Sequence, residues 1–250
     1  MSAPRYSGPL SDTAVVPDAV REFAGGASII PVWRNEVGGL TYRVDAPGGA
    51  VFVKWDPHGS GESLADERER AEWLAGRFPA PRVVASGRDD AGEWIATADL
   101  GALSAVAPEW KQNPETAVRA IARGLRLLHD GLDPAQCPFS WSVDSRVAVA
   151  AAHGVVVPPT LRAAPPIDRL VVCHGDPCVP NTLIAASGEF AAIVDVARIG
   201  VADRWADLAV ASMSLGWNFG EGWEGLFFEE YDIAPDAERI AYYRALWDAT

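Results

Sequence analysis

The feature that most constrains this chain is the run His174-Gly175-Asp176-Pro177-Cys178-Val179-Pro180-Asn181, with a second aspartate following in Ile193-Val194-Asp195-Val196. Short apolar runs at 182–185 (Thr-Leu-Ile-Ala) and 190–194 (Phe-Ala-Ala-Ile-Val) flank Ala186-Ser187-Gly188-Glu189, a pattern that reads as a β-hairpin. A hairpin centred there sets Asn181 opposite Val194 or Asp195. The apolar strand Leu170-Val171-Val172-Cys173 leads in, and Asp176 falls on the entering loop, five residues before the asparagine. Taken singly, His-Gly-Asp is a turn sequence, and Asn and Asp commonly end strands. Their joint spacing around one hairpin agrees with a single geometry.

Two oxygen-bearing side chains at the open end of a hairpin suit Mg²⁺, a hard cation held by one or two carboxylates, waters and phosphates. Asp176 is then placed to accept a proton from a hydroxyl while the metal neutralises charge on a transferring phosphoryl group. In these residues the chain resembles the aminoglycoside phosphotransferase family, a branch of the protein-kinase-like fold, and looks closest to the 3′-phosphotransferases. That family's catalytic loop carries His-Gly-Asp, an Asn five residues after the Asp, and a metal-binding Asp after a hairpin. The resemblance implies ATP as phosphoryl donor, Asp176 as base or orienter of the acceptor hydroxyl, and Asn181 and Asp195 as Mg²⁺ ligands.

Lysine is scarce: Lys54 and Lys111 stand against nineteen arginines. Lys54 lies in the strand-like Ala50-Val51-Phe52-Val53-Lys54-Trp55, after a turn at Pro47-Gly48-Gly49, with Leu40 to Val44 as its hairpin partner. The preceding Gly38-Gly39 either allows close approach of backbone to phosphate or simply makes a turn. Ser63-Leu64-Ala65-Asp66 has the form of a capping box, opening a helix from Leu64 to about Gly76 with Glu67, Ala71 and Leu74 on one face. An inward acid needs a partner. Lys54 supplies one, unless Glu67 is one more surface charge in the run 66–70. The resemblance favours the pair, which in kinases orients the α and β phosphates, because the family acid stands six residues before the Trp-Leu matched here by Trp73-Leu74. It also implies Phe52 against the adenine ring, Glu93 to Thr97 as the last strand of the small lobe, and a hinge over Thr97 to Leu100, Asp99 included, whose backbone pairs with adenine.

Beyond the hinge, Asn113-Pro114 reads as a capped helix start, with Val118, Ile121, Ala122, Leu125 and Leu128 at helical spacing and His129 capping the last turn. A helix over 145–153 and an extended linker at Pro158-Pro159 follow. Arg198 to Ala209 matches a further family motif. Asp203 and Asp207 read as one helical turn apart, and the resemblance makes Asp207 a brace for the catalytic loop. Arg198, three residues after Asp195, is placed to meet phosphate charge and is counted with Asp176 as catalytic. The family's terminal helix uses two acids to bind its cationic sugar; here Trp247 replaces the first and Asp248 matches the second. Between Phe139 and Leu170 the chain is shorter than its relatives, keeping Asp144 and Asp168 as carboxylates, and Ala197 stands where relatives usually have glycine.

A net charge of −13 disfavours nucleic acid and anionic membrane and favours a cationic small-molecule acceptor. Cys137, Cys173 and Cys178 lack metal-ligand spacing and form no even set, which suits a reduced, cytoplasmic protein. Met1 to Pro9 has no basic region followed by an apolar core, and no apolar run approaches the ~20 residues of a membrane span. The expectation is a two-lobed α+β kinase-like fold. Residues 1–98 form a nucleotide-binding antiparallel sheet with one helix, 99–101 the hinge, and 102–250 a mainly helical lobe holding the catalytic hairpin and the acceptor. Two other readings remain: a metabolic kinase for choline, an amino sugar or another small alcohol, and a nucleotide-binding pseudokinase without turnover.

Overall fold

Along Gly49–Pro57, Val51 and Val53 are buried while Phe52 and Lys54 between them are half-buried, the alternation of a strand with one face on a core. In the computed structural model, which describes residues 8–11, 15–61 and 63–250, this strand is central to a six-stranded antiparallel sheet. In chain order the sheet comprises β1 (Gly8–Pro9), β2 (Ile29–Arg34), β3 (Leu40–Ala46), β4 (Gly49–Pro57), β5 (Val83–Arg88) and β6 (Gly92–Ala98). Its spatial order is β1-β2-β3-β4-β6-β5. Helix α1 (Asp18–Ala24) covers the buried face, where Val20 and Ala24 join Tyr42, Val44, Val51, Val53 and Ala96 in one apolar cluster.

Helix α2 (Leu64–Leu74) starts as the sequence indicates, the Ser63 hydroxyl accepting from the Asp66 N–H at 3.1 Å. It stops two residues before Gly76. The expectation of a single helix beside this sheet fails on α1, whose seven residues are too few for apolar periodicity to register. A Cβ on Gly39 would collide with the side chains of Asp56 and Asn35, and the Gly39 N–H donates to Asn35 Oδ1, so this glycine is required by packing in the β2–β3 turn. These elements form one unit, containing the described residues up to Ala75 and Pro81–Leu100.

The second unit contains Gly76–Ala80 and Gly101–Thr250. Its elements are β7 (Leu103–Ser104), α3 (Pro108–Lys111), α4 (Pro114–Gly131), α5 (Val143–Ala152), β8 (Leu170–Cys173), β9 (Thr182–Ile184), β10 (Phe190–Ile193), β11 (Gly200–Asp203), α6 (Trp205–Phe219), α7 (Glu224–Tyr231) and α8 (Ala237–Asp248). The strands make two small sheets, β10-β9-β7 and β11-β8. Helix α4 packs on α7 and on β10, and α6 packs on α8. Glu230 of α7 accepts from Arg119 at 2.6 Å and Arg123 at 2.7 Å, tying α7 to α4.

Several local expectations are corrected here. The Asn113 side chain does not cap α4; its Nδ2 donates back to the Glu109 carbonyl at 2.9 Å, because the short α3 immediately precedes. Helix α5 begins at Val143, with the Ser142 hydroxyl accepting from the Ser145 N–H at 3.2 Å, and ends before His153. Pro159–Leu161 forms a 3₁₀ turn where an extended linker was expected. Asp203 ends β11 and only Asp207 is helical, so the two aspartates do not share a helix. The leader reading of Met1 to Pro9 falls, except for Gly8 and Pro9, outside the described residues, as does Glu62 at the end of the polar loop after Lys54. Among the described residues, no helix is long and apolar enough to cross a membrane.

Burial raises the phenol pKa of both Tyr231 and Tyr243 above the ordinary value. Such a group holds its proton more tightly folded than unfolded. Its contribution to stability is therefore complete below the unfolded pKa of about 10 and is lost as pH rises beyond it. The urea midpoint is expected to fall between pH 8 and pH 11, with Tyr243→Phe flattening part of the decline in parallel titrations.

Candidate active site

Strand β8 pairs with β11, Cys173 opposite Gly200, so the chain leaving β8 and the chain entering β11 run side by side. Gly175 follows with φ 82°, and a Cβ on it would collide with the backbone carbonyl of Arg198. Only glycine fits on both counts. The loop after β8 and the turn before β11 therefore pack backbone to backbone.

Within this loop the partners fix each side chain. His174 Nε2–H donates to the Val194 carbonyl at 3.0 Å, and Nδ1 accepts from the Asp176 N–H at 3.2 Å, which together select one tautomer. Asn181 Nδ2 donates to the Asp176 carbonyl at 2.9 Å, leaving Oδ1 as the ligand-type atom. The hairpin forms as the sequence indicates: Ile193 pairs with Thr182, and the Val194 N–H donates to the Asn181 carbonyl at 2.9 Å. Asp195 comes next, turned aside by a left-handed φ of 60°. Val179 N–H donates to Ser214 Oγ at 3.0 Å, and Ser104 Oγ donates to the Pro180 carbonyl at 2.8 Å, anchoring the loop's far end. Asp176 Oδ1 is buried without a hydrogen-bond partner, a costly state for a carboxylate oxygen and one that a hydroxyl donor would relieve. Burial and the adjacent Asp176 charge push the Cys178 thiol well up, so it stays neutral.

Beneath the loop lies Asp207, fully buried. Its Oδ2 accepts from the His174 N–H at 2.6 Å and its Oδ1 from the Gly175 N–H at 3.0 Å. His129 bonds Asp207 through Nε2 at 3.0 Å and Tyr231 Oη through Nδ1 at 2.8 Å. His129 is thus a buried link between α4, α6 and α7 rather than a cap on its helix. No local signal marks this role, since Tyr231 lies 102 residues away in sequence.

In the first unit, Lys54 Nζ donates to Glu67 Oε2 at 2.8 Å, with side-chain exposures of 21% and 10%. The ion pair expected from the sequence is formed. Phe52 shares the strand face of Lys54 and stands in register with Thr97 of β6. Asp99 continues the ladder instead of standing free: its N–H donates to the Ala50 carbonyl at 3.0 Å, and its carboxylate accepts from Arg43 Nε at 3.1 Å. Arg43 is a partner that sequence reasoning did not single out.

Arg198 lies with its guanidinium carbon 5.7 Å from the Trp141 ring centroid and 5.5 Å from that of Trp247. Asp248 is exposed at the end of α8. Asp168, one of two carboxylates between Phe139 and Leu170, accepts from Arg204 Nε at 2.6 Å and Trp205 Nε1 at 3.0 Å, and Arg204 holds its carboxyl below the usual range. It is committed to structure. Asp144 is exposed in the first turn of α5.

Asn181 and Asp195 offer the hard oxygen donors that suit Mg²⁺, on chain segments that the Val194 to Asn181 bond brings together. His129, Cys173 and Asp207 form another metal-type cluster among the described residues. Burial keeps the Cys173 thiol protonated, and the histidine and aspartate are already hydrogen-bonded, so that cluster is a packed brace.

Residues 34–246 match the phosphotransferase enzyme family. An aminoglycoside 3′-phosphotransferase of Streptomyces fradiae is 35% identical over 220 residues, 76% of this chain and 81% of that protein. The crystal structure of an aminoglycoside-3′-phosphotransferase of type VIII superposes with a TM-score of 0.77 at 31% identity, covering 93% of this chain and 98% of that one. An aminoglycoside phosphotransferase from Streptomyces rimosus, APH(3″)-Id, solved in complex with ADP and streptomycin, gives 0.69 at 27% identity over 92% and 96% of the two chains.

Removing the Asp207 carboxylate leaves two buried backbone donors and His129 without their acceptor. Asp207→Ala is expected to lower the unfolding free energy by about 3–5 kcal/mol, the cost of breaking a buried charged network. Asp207→Asn, which keeps one acceptor oxygen, is expected to lose less in the same urea titrations.

Proposed function

The chain belongs to the phosphotransferase enzyme family and has its kinase-like α+β fold, and on that premise we propose that it moves the γ-phosphoryl group of ATP to a hydroxyl of an aminoglycoside, in the 3′ manner. The observation that carries this reading is the arrangement of Asp176, Asn181 and Asp195 around one hairpin, inside the matched region. The named relatives support the acceptor class, and the ADP complex of the Streptomyces rimosus enzyme supports nucleotide use.

In this reading Asp176 accepts the proton of the acceptor hydroxyl as its oxygen bonds to the γ-phosphorus and the bond to the β–γ bridging oxygen breaks, releasing ADP. The orphaned Oδ1 of Asp176 suits that role. Asn181 Oδ1 and the Asp195 carboxylate would hold Mg²⁺, which when bound neutralises phosphate charge. Lys54, fixed by Glu67, orients the α and β phosphates, and Phe52 stacks on adenine beside the backbone of Thr97 and Asp99. With the Asp99 N–H already in the ladder, the hinge carbonyls carry more of that recognition. Arg198 meets the charge of the transferring group. Asp248, beyond the matched residues, binds an amino group of the acceptor. An ATP-consuming enzyme whose three cysteines form no disulfide is read as cytoplasmic.

One observation favours a second acceptor class. Arg204 and Trp205 occupy Asp168, so the α5–β8 stretch offers an amino sugar little negative charge. A smaller alcohol such as choline needs less.

Coupled ADP release with Mg-ATP against kanamycin, neomycin, streptomycin, choline and simple amino sugars tests both readings. Turnover dependent on a 2-deoxystreptamine drug is the expected result, and turnover with choline alone would replace the aminoglycoside reading. Asp176→Asn is expected to abolish turnover while leaving nucleotide affinity near wild type. Retention of more than about a tenth of the rate, worth only ~1.4 kcal/mol of barrier, would remove Asp176 from its role.

A further inference from the structure

Helix α2 brings Glu67 to Lys54, yet little apolar surface holds it on the sheet. Of its eleven residues, Leu64, Ala71 and Leu74 are the buried apolar ones, and Glu67 completes the same inward face. Asp66 and Arg68 flank Glu67 in sequence. A slip of the helix by one residue turns it by about 100°, which would bring one of those two toward Lys54 in place of Glu67. Three apolar side chains, one of them an alanine, resist such a turn weakly. Directional bonds resist it better.

Two such bonds are made in the first turn. Ser63 Oγ accepts from the Asp66 N–H at 3.1 Å, a cap within the same segment, and Glu93 Oε1 of β6 accepts from the Leu64 N–H at 2.8 Å. The second ties the helix to the sheet. In the register of β4 with β6, Lys54 stands opposite Ile95 and Asp56 opposite Glu93, so Lys54 and Glu93 lie on the one face that receives α2. The helix is pinned to that face at Leu64 and again at Glu67. These positions are about 4.5 Å apart along the axis of a rigid helix, so fixing the first sets the second.

Glu93 stands where an acid is otherwise unfavourable. It is opposite Asp56, and like charges directly opposite destabilise a sheet. The two carboxylates serve separate donors: Asp56 Oδ1 accepts from Asn35 Nδ2 at 3.2 Å, while Glu93 meets the first turn of α2, where negative charge also interacts favourably with the helix dipole.

We propose that Glu93 is a positioning residue for the Lys54–Glu67 pair: by accepting from the Leu64 N–H it sets the phase of α2, and through it the presentation of Lys54 to the α and β phosphates. The role of that pair rests on the phosphotransfer reading above.

The pin is read without turnover. The chain has two lysines, so ¹³C labelling of lysine Cε gives two side-chain signals, Lys54 being the one lost in Lys54→Ala and Lys111 the internal reference. Glu67→Gln defines how the Lys54 signal moves when its ion pair is weakened. Glu93→Ala is expected to move it in the same direction, and Glu93→Gln, which keeps an acceptor oxygen, to leave it near wild type. In calorimetry with Mg-ADP, Glu93→Ala is expected to bind about tenfold more weakly and Glu93→Gln close to wild type. In a Lys54→Ala background Glu93→Ala is expected to add nothing, since it acts through the missing side chain. A Lys54 signal that Glu93→Ala leaves in place, or that Glu93→Gln moves equally far, overturns the pin and leaves the phosphotransfer reading intact. Fully additive losses of affinity in the Lys54→Ala background overturn the positioning role. Wild-type protein that binds no Mg-ADP overturns the phosphotransfer reading itself, and the role of Glu93 with it.

Discussion

The second unit is organised around the two carboxylate oxygens of Asp207. One loop turns sharply at Gly175, and its first two N–H groups point into the protein, away from any strand partner. Buried donors of this kind must be paired. Asp207 pairs both from the first turn of α6, where a carboxylate also interacts favourably with the helix dipole. With those two bonds in place, His174 can face Val194 and Asn181 can reach back to the Asp176 carbonyl. His129 and Tyr231 extend the same hydrogen-bonded chain into α4 and α7, so α4, α6 and α7 are all keyed to the position of one loop.

What could be read from the sequence was whatever depends on short spacing. The hairpin follows from two apolar runs and a polar turn, whereas a lysine on a strand and a capping box that sets a helix phase left Glu67 either paired with Lys54 or a surface charge, and the family resemblance favoured the pair that is formed. Interactions closed over long separations were not legible. His129 occupies a helical position where a cap is equally plausible until Tyr231, on a helix far downstream, covers it. Asp168 resembles a free acid until Arg204 and the Trp205 indole reach it across β8 and β11. The misplacement of Asp203 has another cause. A strand of four residues passes directly into a helix, and nothing in Gly200 to Asp207 punctuates the change.

The chain is strongly acidic overall, yet the neighbourhood of Trp141 holds two guanidinium groups. Arg146 is buried there, and its pKa is lowered to about 10, chiefly by loss of solvation and secondarily by Arg198. A net figure of −13 bears on solubility and long-range encounter, whereas phosphate recognition depends on a few groups within contact distance.

Gly175, the hairpin, Asp195 and Asp207 all fall between residues 174 and 207. Their mutual bonds close only short loops, which carry little entropic penalty and form early relative to contacts of high sequence separation. Such a segment behaves as a self-contained cassette. Its internal register is therefore set without reference to the length of chain on either side of it. The part of the polypeptide that positions the catalytic loop and the parts that would meet an acceptor can change independently of each other.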